Sequence, residues 1–399
     1  MWVRLSGMPW QTVFLQAVWG LASIVFAEVI RDGYHVISHY WPPLMRLHNW
    51  HHRTYKKDFS LVSETLYRQA QLYNDVPEAL VLVGMVAMVA LVVGQPGLWL
   101  GCIYSAGFLV SAVARSQGWL MATDLTHKPG ELTTTPSNWL VNRTYHWRHH
   151  FDDTNAYFSG YFTVTDKLMG TAVSLKGKTV AVTGASGTLG RALLNELAQQ
   201  KAKPIALTTS PNSVFPEGIG CWHWQPGGEA DLWDALQKVD ILVINHGVNV
   251  YGDRSAPAVQ TSLEVNALSG WRLMEVFFST VNTSAQRANK EVWVNTSEAE
   301  VSPAFGPLYE ISKRLMGELV TLRRLDAPCV VRKIVLGPFK SDLNPYGVMS
   351  ATWVAWAVVA LAKRNVRNIV VTINPLTYVT FPLKEFSHWL YFKLFSHPS

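Results

Sequence analysis

Three clusters of histidines constrain the fold of this chain more than any other feature. They read His35-Val-Ile-Ser-His39, His48-Asn-Trp-His51-His52 and His146-Trp-Arg-His149-His150. Residues three and four apart lie on one face of a helix, so each cluster can point its imidazoles in one direction. Imidazole suits iron, zinc and copper, whereas magnesium and calcium prefer oxygen ligands. The spacing therefore predicts a two-metal site at which three separate segments meet.

His127 is a ninth candidate ligand. It stands close to Pro129-Gly130. A plain loop histidine and a metal ligand are equally good interpretations of it.

The composition indicates a membrane protein with a soluble part. Apolar residues make up 49% of the 399 residues and charged residues only 16%, which is low for a wholly soluble chain. The 17 tryptophans fit the belts found at membrane interfaces. The net charge of +6 comes without a basic run, which argues against nucleic-acid binding. Three distant cysteines, Cys102, Cys221 and Cys329, argue against a disulfide framework and indicate a reducing compartment for the soluble part.

Three apolar runs are candidates for membrane-spanning helices: 13–30, 79–93 and 98–114. The turn Gly94-Gln95-Pro96-Gly97 joins the last two. A buried helix pair of a soluble domain is the alternative for these two runs, but their lack of charge favours a membrane hairpin. The first run lacks a small-residue cleavage site before the histidines, so we predict no cleaved signal peptide.

Lysines and arginines predict the orientation in the membrane. They follow the first and third runs as Arg31, Arg46, Arg53, Lys56, Lys57 and Arg68, and as Arg115, Lys128, Arg143 and Arg148. By the positive-inside rule, both histidine-bearing segments face the cytoplasm. Three spans then predict an external N-terminus, unless the first run is re-entrant.

The segment from His146 to Tyr157, followed by Asp166-Lys-Leu-Met-Gly170-Thr171, resembles the closing signature of the fatty acid hydroxylase / sterol desaturase superfamily. The earlier clusters match the HxxxH and HxxHH boxes of that family, and the likeness covers about residues 10–172. It implies a membrane-embedded di-iron enzyme that uses O2 and an external electron donor on a lipid C–H bond, although zinc suits imidazoles equally well. It also implies that Asp166 and Gly170 maintain the local fold. The implied metal ligands are His35, His39, His48, His51, His52, His146, His149 and His150.

A glycine-rich loop opens the second half of the chain. Residues 179–182 form a short apolar run, Gly184, Gly187 and Gly190 follow it, and residues 191–199 have a helical pattern. Glycines between a strand and a helix allow a tight turn and close approach of a pyrophosphate to the helix N-terminus. The segment therefore predicts a dinucleotide site.

Residues farther along strengthen this prediction. A buried strand leads to Asn245-His246-Gly247, another ends in Thr296-Ser297, and Tyr309-Glu-Ile-Ser-Lys313 follows on a predicted helix. This order resembles the short-chain dehydrogenase/reductase family over about residues 177–375. It implies a doubly wound α/β Rossmann domain with a catalytic tetrad of Asn266, Ser297, Tyr309 and Lys313. The implied cofactor-binding residues are Gly184, Ser186, Gly187, Leu189, Gly190, Asn245, Gly247, Tyr309 and Lys313.

Lys313 lies one helical turn from Tyr309, where its charge can stabilise a tyrosinate. Thr296 is an alternative to Ser297, and Leu336-Gly337-Pro338-Phe339 stands where the family commonly has Pro-Gly. The predicted second strand ends in Thr209-Ser210 without the acid that binds the ribose of NAD, which favours NADP over NAD. No arginine for the 2′-phosphate is evident.

We therefore predict a membrane domain over 1–172, a Rossmann domain over 173–380 and an aromatic tail over 381–399. The tail either lies on the membrane or packs against a domain. The order of domains resembles the bifunctional sterol desaturase/short-chain dehydrogenase proteins of cyanobacteria. It implies O2-dependent hydroxylation or desaturation of a lipid, followed by NAD(P)-dependent alcohol/carbonyl interconversion, in a monomer or a homo-oligomer. The alternatives are a wax-type enzyme that forms and removes an aldehyde, and a hydroxylase whose Rossmann domain only senses nucleotide or acts as a scaffold.

Overall fold

The computed structural model describes residues 9–397, which divide into two compact units. Within this range the first unit comprises residues 9–131 and 139–168, and the second comprises 132–138 and 169–397. We call them the membrane unit and the Rossmann unit.

The described part of the membrane unit is helical. Its helices are α1 (Trp10–Tyr40), α2 (Pro42–Thr54), α3 (Glu64–Ala70), α4 (Val76–Val93), α5 (Trp99–Ser116), α6 (Arg143–Phe151) and α7 (Val164–Met169). A π-helical turn, Gln71–Asp75, joins α3 and α4 into one helix. Three helices are long and apolar enough to cross a membrane: Trp10–Tyr40, Glu64–Val93 and Pro96–Ser116. The first is longer than its apolar run, because it continues through His35 and His39.

Polar residues within the spans pair with one another. The Gly97 amide donates to Gln16 Oε1 (2.6 Å), and Tyr104 Oη donates to Glu28 (2.5 Å). Outward residues such as Leu21, Leu91 and Ile103 are more than half exposed. Buried polar pairs and an apolar outer surface are what a bilayer requires, and the protein is a membrane protein.

The Rossmann unit is a parallel seven-stranded sheet with the order β3-β2-β1-β4-β5-β6-β7. The strands are β1 (Thr179–Thr183), β2 (Lys203–Thr208), β3 (Gly220–His223), β4 (Ile241–Ile244), β5 (Glu291–Ser297), β6 (Val330–Leu336) and β7 (Asn368–Val371). The helices are α8 (Thr188–Gln199), α9 (Trp233–Leu236), α10 (Ala256–Leu263), α11 (Ser269–Phe278), α12 (Ser284–Asn289), α13 (Pro307–Arg323), α14 (Ala351–Lys363) and α15 (Thr377–Phe395).

Two apolar cores lie on opposite faces of this sheet. Val180 and Val182 of β1 pack in one core with α8 and α14. Ala181, between them, points into the other core with α11 and α13. Successive strand residues alternate between faces, so an uninterrupted apolar strand is buried on both sides. The predicted doubly wound fold is confirmed.

Candidate metal and nucleotide sites

Helices α1, α2 and α6 bring the three histidine clusters together inside the membrane unit. Potential ligand atoms form two groups, and within each group they lie within 4.8 Å of one another. Group A contains His35, His39, His48 and His149, and group B contains His51, His127, His146 and His150.

Seven of the eight histidines that the resemblance implies as ligands therefore fall into one group or the other. The eighth, His52, lies beside both groups. Its Nε2 is 3.5 Å from that of His39, and its ring centroid is 4.9 Å from that of His150.

Hydrogen bonds to the outer ring nitrogens determine the tautomers of three histidines of group A. The Nδ1 atom of His35 is 2.6 Å from Phe158 O, and that of His149 is 2.8 Å from Ala156 O. Carbonyl oxygens only accept, so each Nδ1 carries the proton. His48 Nδ1 likewise donates to Asn74 Oδ1 (2.9 Å). The three Nε2 atoms therefore carry lone pairs.

Those lone pairs converge. His35 Nε2 lies 3.1 Å from His48 Nε2 and 3.0 Å from His149 Nε2. Burial, followed by the charges of neighbouring histidines, lowers the pKa of His48 to about 3 and that of His149 well below its usual value. Neutral imidazoles at these separations repel one another unless a cation lies between them. Group A thus fits a metal ion.

Group B also brings buried imidazole nitrogens close to one another. His146 Nε2 lies 2.9 Å from His127 Nε2, and His51 Nε2 lies 3.1 Å from His150 Nε2. The Asp124 carboxylate accepts from His127 Nδ1 at 3.0 Å. A carboxylate behind a histidine orients the ring and raises its basicity toward a metal. Burial lowers the pKa values of His51, His146 and His150 well below the usual range.

The structure places His127, which the sequence left open as loop residue or ligand, among the histidines of group B with Asp124 as its partner. Asp124 caps the short turn Leu125–His127 and orients the imidazole by bonding to its ring nitrogen. The spacing D-x-x-H was the available signal. Asn74, in the π-helical turn, carried no comparable signal, because only folding places it beside His48.

Asp166 fixes the loop that supports group A. Its carboxylate accepts from the amides of Phe158 and Ser159, both at 2.8 Å, and from Tyr145 Oη at 2.9 Å. The carbonyl oxygen of Phe158 in turn accepts the hydrogen bond from His35 Nδ1.

In the Rossmann unit, a cavity of about 500 Å³ lies at the carboxyl edge of the sheet. It is lined by seven of the predicted cofactor residues, Gly184, Ser186, Gly187, Leu189, Gly190, Asn245 and Gly247, together with Thr209, Trp224, Gln225 and His246 among others. Strand order reverses between β1 and β4, where doubly wound sheets bind nucleotides.

The glycine loop can be built only from glycines at two positions. Gly184 has φ +60°, and a Cβ on Gly190 would lie 2.2 Å from the Gly184 carbonyl oxygen. The loop thus brings backbone close to the cavity and to the N-terminus of α8, as a pyrophosphate requires. These features fit a dinucleotide.

Tyr309 and Lys313 do not line this cavity but face each other on α13. Lys313 Nζ lies 5.9 Å from the centre of the Tyr309 ring and 3.5 Å from Asn295 O. Burial lowers the pKa of Lys313 to about 8, with the charge of Glu300 opposing the shift. Burial raises the pKa of Tyr309, and a hydrogen bond with Ser297 opposes it.

Ser297 and Thr296 point in different directions at the end of β5. Thr296 Oγ1 donates to Ile334 O of the neighbouring strand (3.2 Å), whereas Ser297 Oγ accepts from Ala299 N (3.1 Å) and is the side chain that opposes the rise in the pKa of Tyr309. Asn266 bonds through its amide to both Val248 N (2.7 Å) and Val248 O (2.9 Å). The structure therefore groups Ser297 with Tyr309 and Lys313, and uses Asn266 to hold the loop after β4.

Two further residues were not predicted from the sequence. Arg191 donates to Ser186 O, a residue that lines the cavity, and to Val214 O, both at 3.0 Å. His246 Nδ1 bonds to Thr183 Oγ1 (2.8 Å) on the cavity wall. Only the spacing of Arg191 from the glycines offered a signal.

The geometry defines a histidine-rich membrane domain joined to a short-chain dehydrogenase/reductase fold. Residues 20–171 match the model of the fatty acid hydroxylase family. The chain is 54% identical to the monoglucosyldiacylglycerol epimerase of Synechocystis sp., over 95% of this chain and 97% of that protein. The chain belongs to the same family as that epimerase. The predicted fusion is confirmed, and the protein is an oxidoreductase by its two domains.

Solved structures resemble the Rossmann unit. A short-chain dehydrogenase from Burkholderia cenocepacia in complex with NADP is 16% identical, with a TM-score of 0.47 over 56% of this chain and 100% of that one. The aldohexose dehydrogenase of Thermoplasma acidophilum is 19% identical, with a TM-score of 0.43 over 50% of this chain and 93% of that one. The strand order by itself establishes the doubly wound fold of the Rossmann unit.

Proposed function

We propose that this protein inverts a hydroxyl-bearing carbon in the sugar headgroup of monoglucosyldiacylglycerol, the lipid named for its Synechocystis relative. The observation that carries the proposal is the group of Tyr309, Ser297 and Lys313 at the edge of the sheet that holds the nucleotide cavity. The near full-length similarity to the epimerase supports it.

The chemistry explains why an epimerase would use a dehydrogenase fold. A ring carbon of a glycoside has no neighbouring carbonyl, so its C–H bond is not acidic. Inversion without breaking the ring therefore passes through a ketone. A bound NADP or NAD would supply this chemistry by accepting a hydride and returning it to the opposite face. No net oxidation results.

The residues of the chain would move the proton. Tyr309 Oη accepts the proton of the substrate hydroxyl as the ketone forms, and returns it to the same oxygen after inversion. The Lys313 ammonium stabilises the tyrosinate. Ser297 donates a hydrogen bond to the substrate oxygen, and Asn266 holds the loop beside it. Ser186 lines the cavity and Arg191 is bonded to its carbonyl, and a cation this near to the cavity favours NADP over NAD.

A second candidate function belongs to the membrane unit. We propose that groups A and B hold two iron ions, with zinc as the alternative, and that His52 lies between them. Bound iron would supply the activation of O2 for hydroxylation or desaturation of a lipid chain, with electrons from an external donor. The convergence of four imidazole nitrogens in each group supports this candidate. The lysine and arginine pattern supports a cytoplasmic location for both sites.

The test uses the full-length protein in vesicles that contain monoglucosyldiacylglycerol and NADP or NAD. We expect a product of unchanged mass whose sugar is the epimer, formed with or without O2. Tyr309→Phe should reduce the rate about a hundredfold or more, the range for losing a general acid–base group. Tyr378→Phe, which removes another hydroxyl of the Rossmann unit, is the matched control.

Two results would count against the epimerase proposal. A product that contains one more oxygen atom or two fewer hydrogens, and that needs O2, assigns the reaction to the membrane unit. An unchanged rate in Tyr309→Phe makes the Rossmann unit a sensor or a scaffold.

A further inference from the structure

Helix α15 has the reverse of the usual arrangement, because it buries a charged side chain and exposes many apolar ones. A surface helix normally buries its apolar face and exposes its charged one. Here Thr377, Phe381 and Glu385 are buried along one side. The opposite side carries five large apolar or aromatic residues with exposures between 40% and 65%, namely Val379, Leu383, Phe386, Leu390 and Leu394. We call these five residues the outer face of α15.

Ion pairs fix the rotation of α15 about its own axis. Glu385 accepts from Lys333 Nζ (2.7 Å) and Arg324 Nη1 (2.9 Å). Lys384 Nζ donates to Glu300 (2.8 Å). The side chains of Lys333 and Glu300 are fully buried. Turning the outer face inward would leave these charges buried without partners, which is strongly unfavourable.

The charges of α15 indicate what covers the outer face. Its single acidic residue, Glu385, is on the inner side. Lys393 is exposed and lies with its Nζ 4.9 Å from the centre of the Trp389 ring. Aromatic rings beside a lysine are typical of helices in the headgroup region, and a positive charge complements anionic lipids. Residues 9–397 include three candidate membrane spans, so the protein is held at a bilayer.

We propose that α15 lies in the plane of the bilayer interface, with its outer face inserted at the boundary between headgroups and acyl chains. Nineteen residues give it a length of about 28 Å. The segment from β7 to α15 leaves the carboxyl edge of the sheet, and on it Ile373 and Leu376 are 60% and 68% exposed. The helix thereby holds the edge that carries Tyr309 near the headgroup layer. The anchoring itself does not depend on the proposed reaction.

The test measures the depth of one fluorophore in the full-length protein. Cys221, the exposed native cysteine, is changed to Ser, and the buried Cys102 and Cys329 are kept. Leu390→Cys is labelled with nitrobenzoxadiazole and reconstituted into vesicles of phosphatidylcholine and phosphatidylglycerol. Lys238→Cys, exposed and just before β4 at the opposite edge of the sheet, is the matched control.

We expect nitroxide-labelled phosphatidylcholine to quench most of the Leu390→Cys signal, and the quenching to increase with the phosphatidylglycerol content. Emission should shift to the blue relative to the control, which stays unquenched. Leu383→Glu combined with Leu394→Glu should abolish the quenching while nucleotide binding is retained, showing that the Rossmann unit is folded.

An unquenched label on Leu390→Cys would overturn the proposal. If that label is instead quenched by labels on other copies as the protein density in the vesicle rises, the outer face is a contact between two copies, and the proposal is also wrong. Neither result depends on catalytic activity.

Discussion

In the membrane unit, the atoms that converge at the candidate metal site all belong to side chains. In the Rossmann unit, by contrast, the backbone forms much of the wall of the nucleotide cavity. Groups A and B bring imidazole nitrogens to about 3 Å from one another. In the glycine loop, Gly190 lies so close to the carbonyl oxygen of Gly184 that no side chain would fit there.

The difference predicts different dependence on the ligand. Converging lone pairs are stable only around a cation, so metal binding and folding should be coupled in the membrane unit. The Rossmann unit has two complete apolar cores and should be folded before nucleotide binds. The following predictions test this contrast, from the largest effect to the smallest.

Loss of one imidazole should empty one metal group. We expect His149→Ala to lose the ion of group A, so that the ratio of metal to protein, measured by mass spectrometry of the metal, falls to half. His146→Ala is the mirror variant for group B. Nucleotide binding should be unchanged in both, because the cavity belongs to the other unit. A full complement of metal in His149→Ala would rule out group A as a separate site.

A side chain at Gly190 should damage the nucleotide site and leave the metals in place. Because its Cβ would meet the Gly184 carbonyl at 2.2 Å, Gly190→Val should raise the Kd for the nucleotide at least about tenfold. Titration by fluorescence measures this, and metal content serves as the internal check. Gly252→Ala has open space around its Cβ and is the matched control. Normal affinity in Gly190→Val would mean that the nucleotide binds elsewhere.

Removing the Asp124 carboxylate, which accepts from His127 Nδ1, should weaken metal binding in group B. The effect should be smaller than that of losing a ligating imidazole. Asp124→Asn keeps the shape of the side chain, and we expect about 10- to 100-fold weaker metal binding in group B, as is usual for such partners. Competition with a chelator measures it. Asp58→Asn, another exposed acid of the same unit, should have no effect. Equal weakening of both groups would contradict the assignment of His127 to group B.

The pH dependence should separate activity from stability in the Rossmann unit. Lys313 has its pKa lowered to about 8, so it loses its charge as pH rises through 8, and the reaction that depends on Tyr309 should slow. Lys313→Arg stays charged and should move this fall to higher pH. If the rate falls at the same pH in the native protein and in Lys313→Arg, deprotonation of Lys313 is not the cause.

Whereas the rate falls as pH rises, the free energy of unfolding should increase. A lysine in the unfolded chain has its ordinary pKa of 10.5, so between pH 8 and 10.5 the unfolded chain binds more protons than the folded one, and stability rises with pH. Lys313→Met should remove this rise, which denaturant titration at several pH values measures. A rise of the same size in Lys313→Met would assign it to other groups.

Much of the fold and several site residues were predictable because their signals are local. A lysine four residues after Tyr309 must lie one helical turn away, and a glycine loop between a strand and a helix must turn tightly. Histidines at i, i+3 and i+4 share a face wherever the helix goes. These relations depend only on backbone geometry, so they follow from the order of residues.

Other features depend on contacts between distant parts of the chain. Only folding decides that His127 joins group B, that the Asn74 carbonyl accepts from His48, and that Ser297 rather than Thr296 meets Tyr309. The orientation of α15 is of the same kind: its sequence is aromatic on several sides, and the buried partners of Glu385 select the inner face. By itself the sequence determined the two domains, their order and the residue types at each site. The tertiary structure decided which residues act together, because the partner of a buried polar group is set by packing and not by its neighbours in sequence.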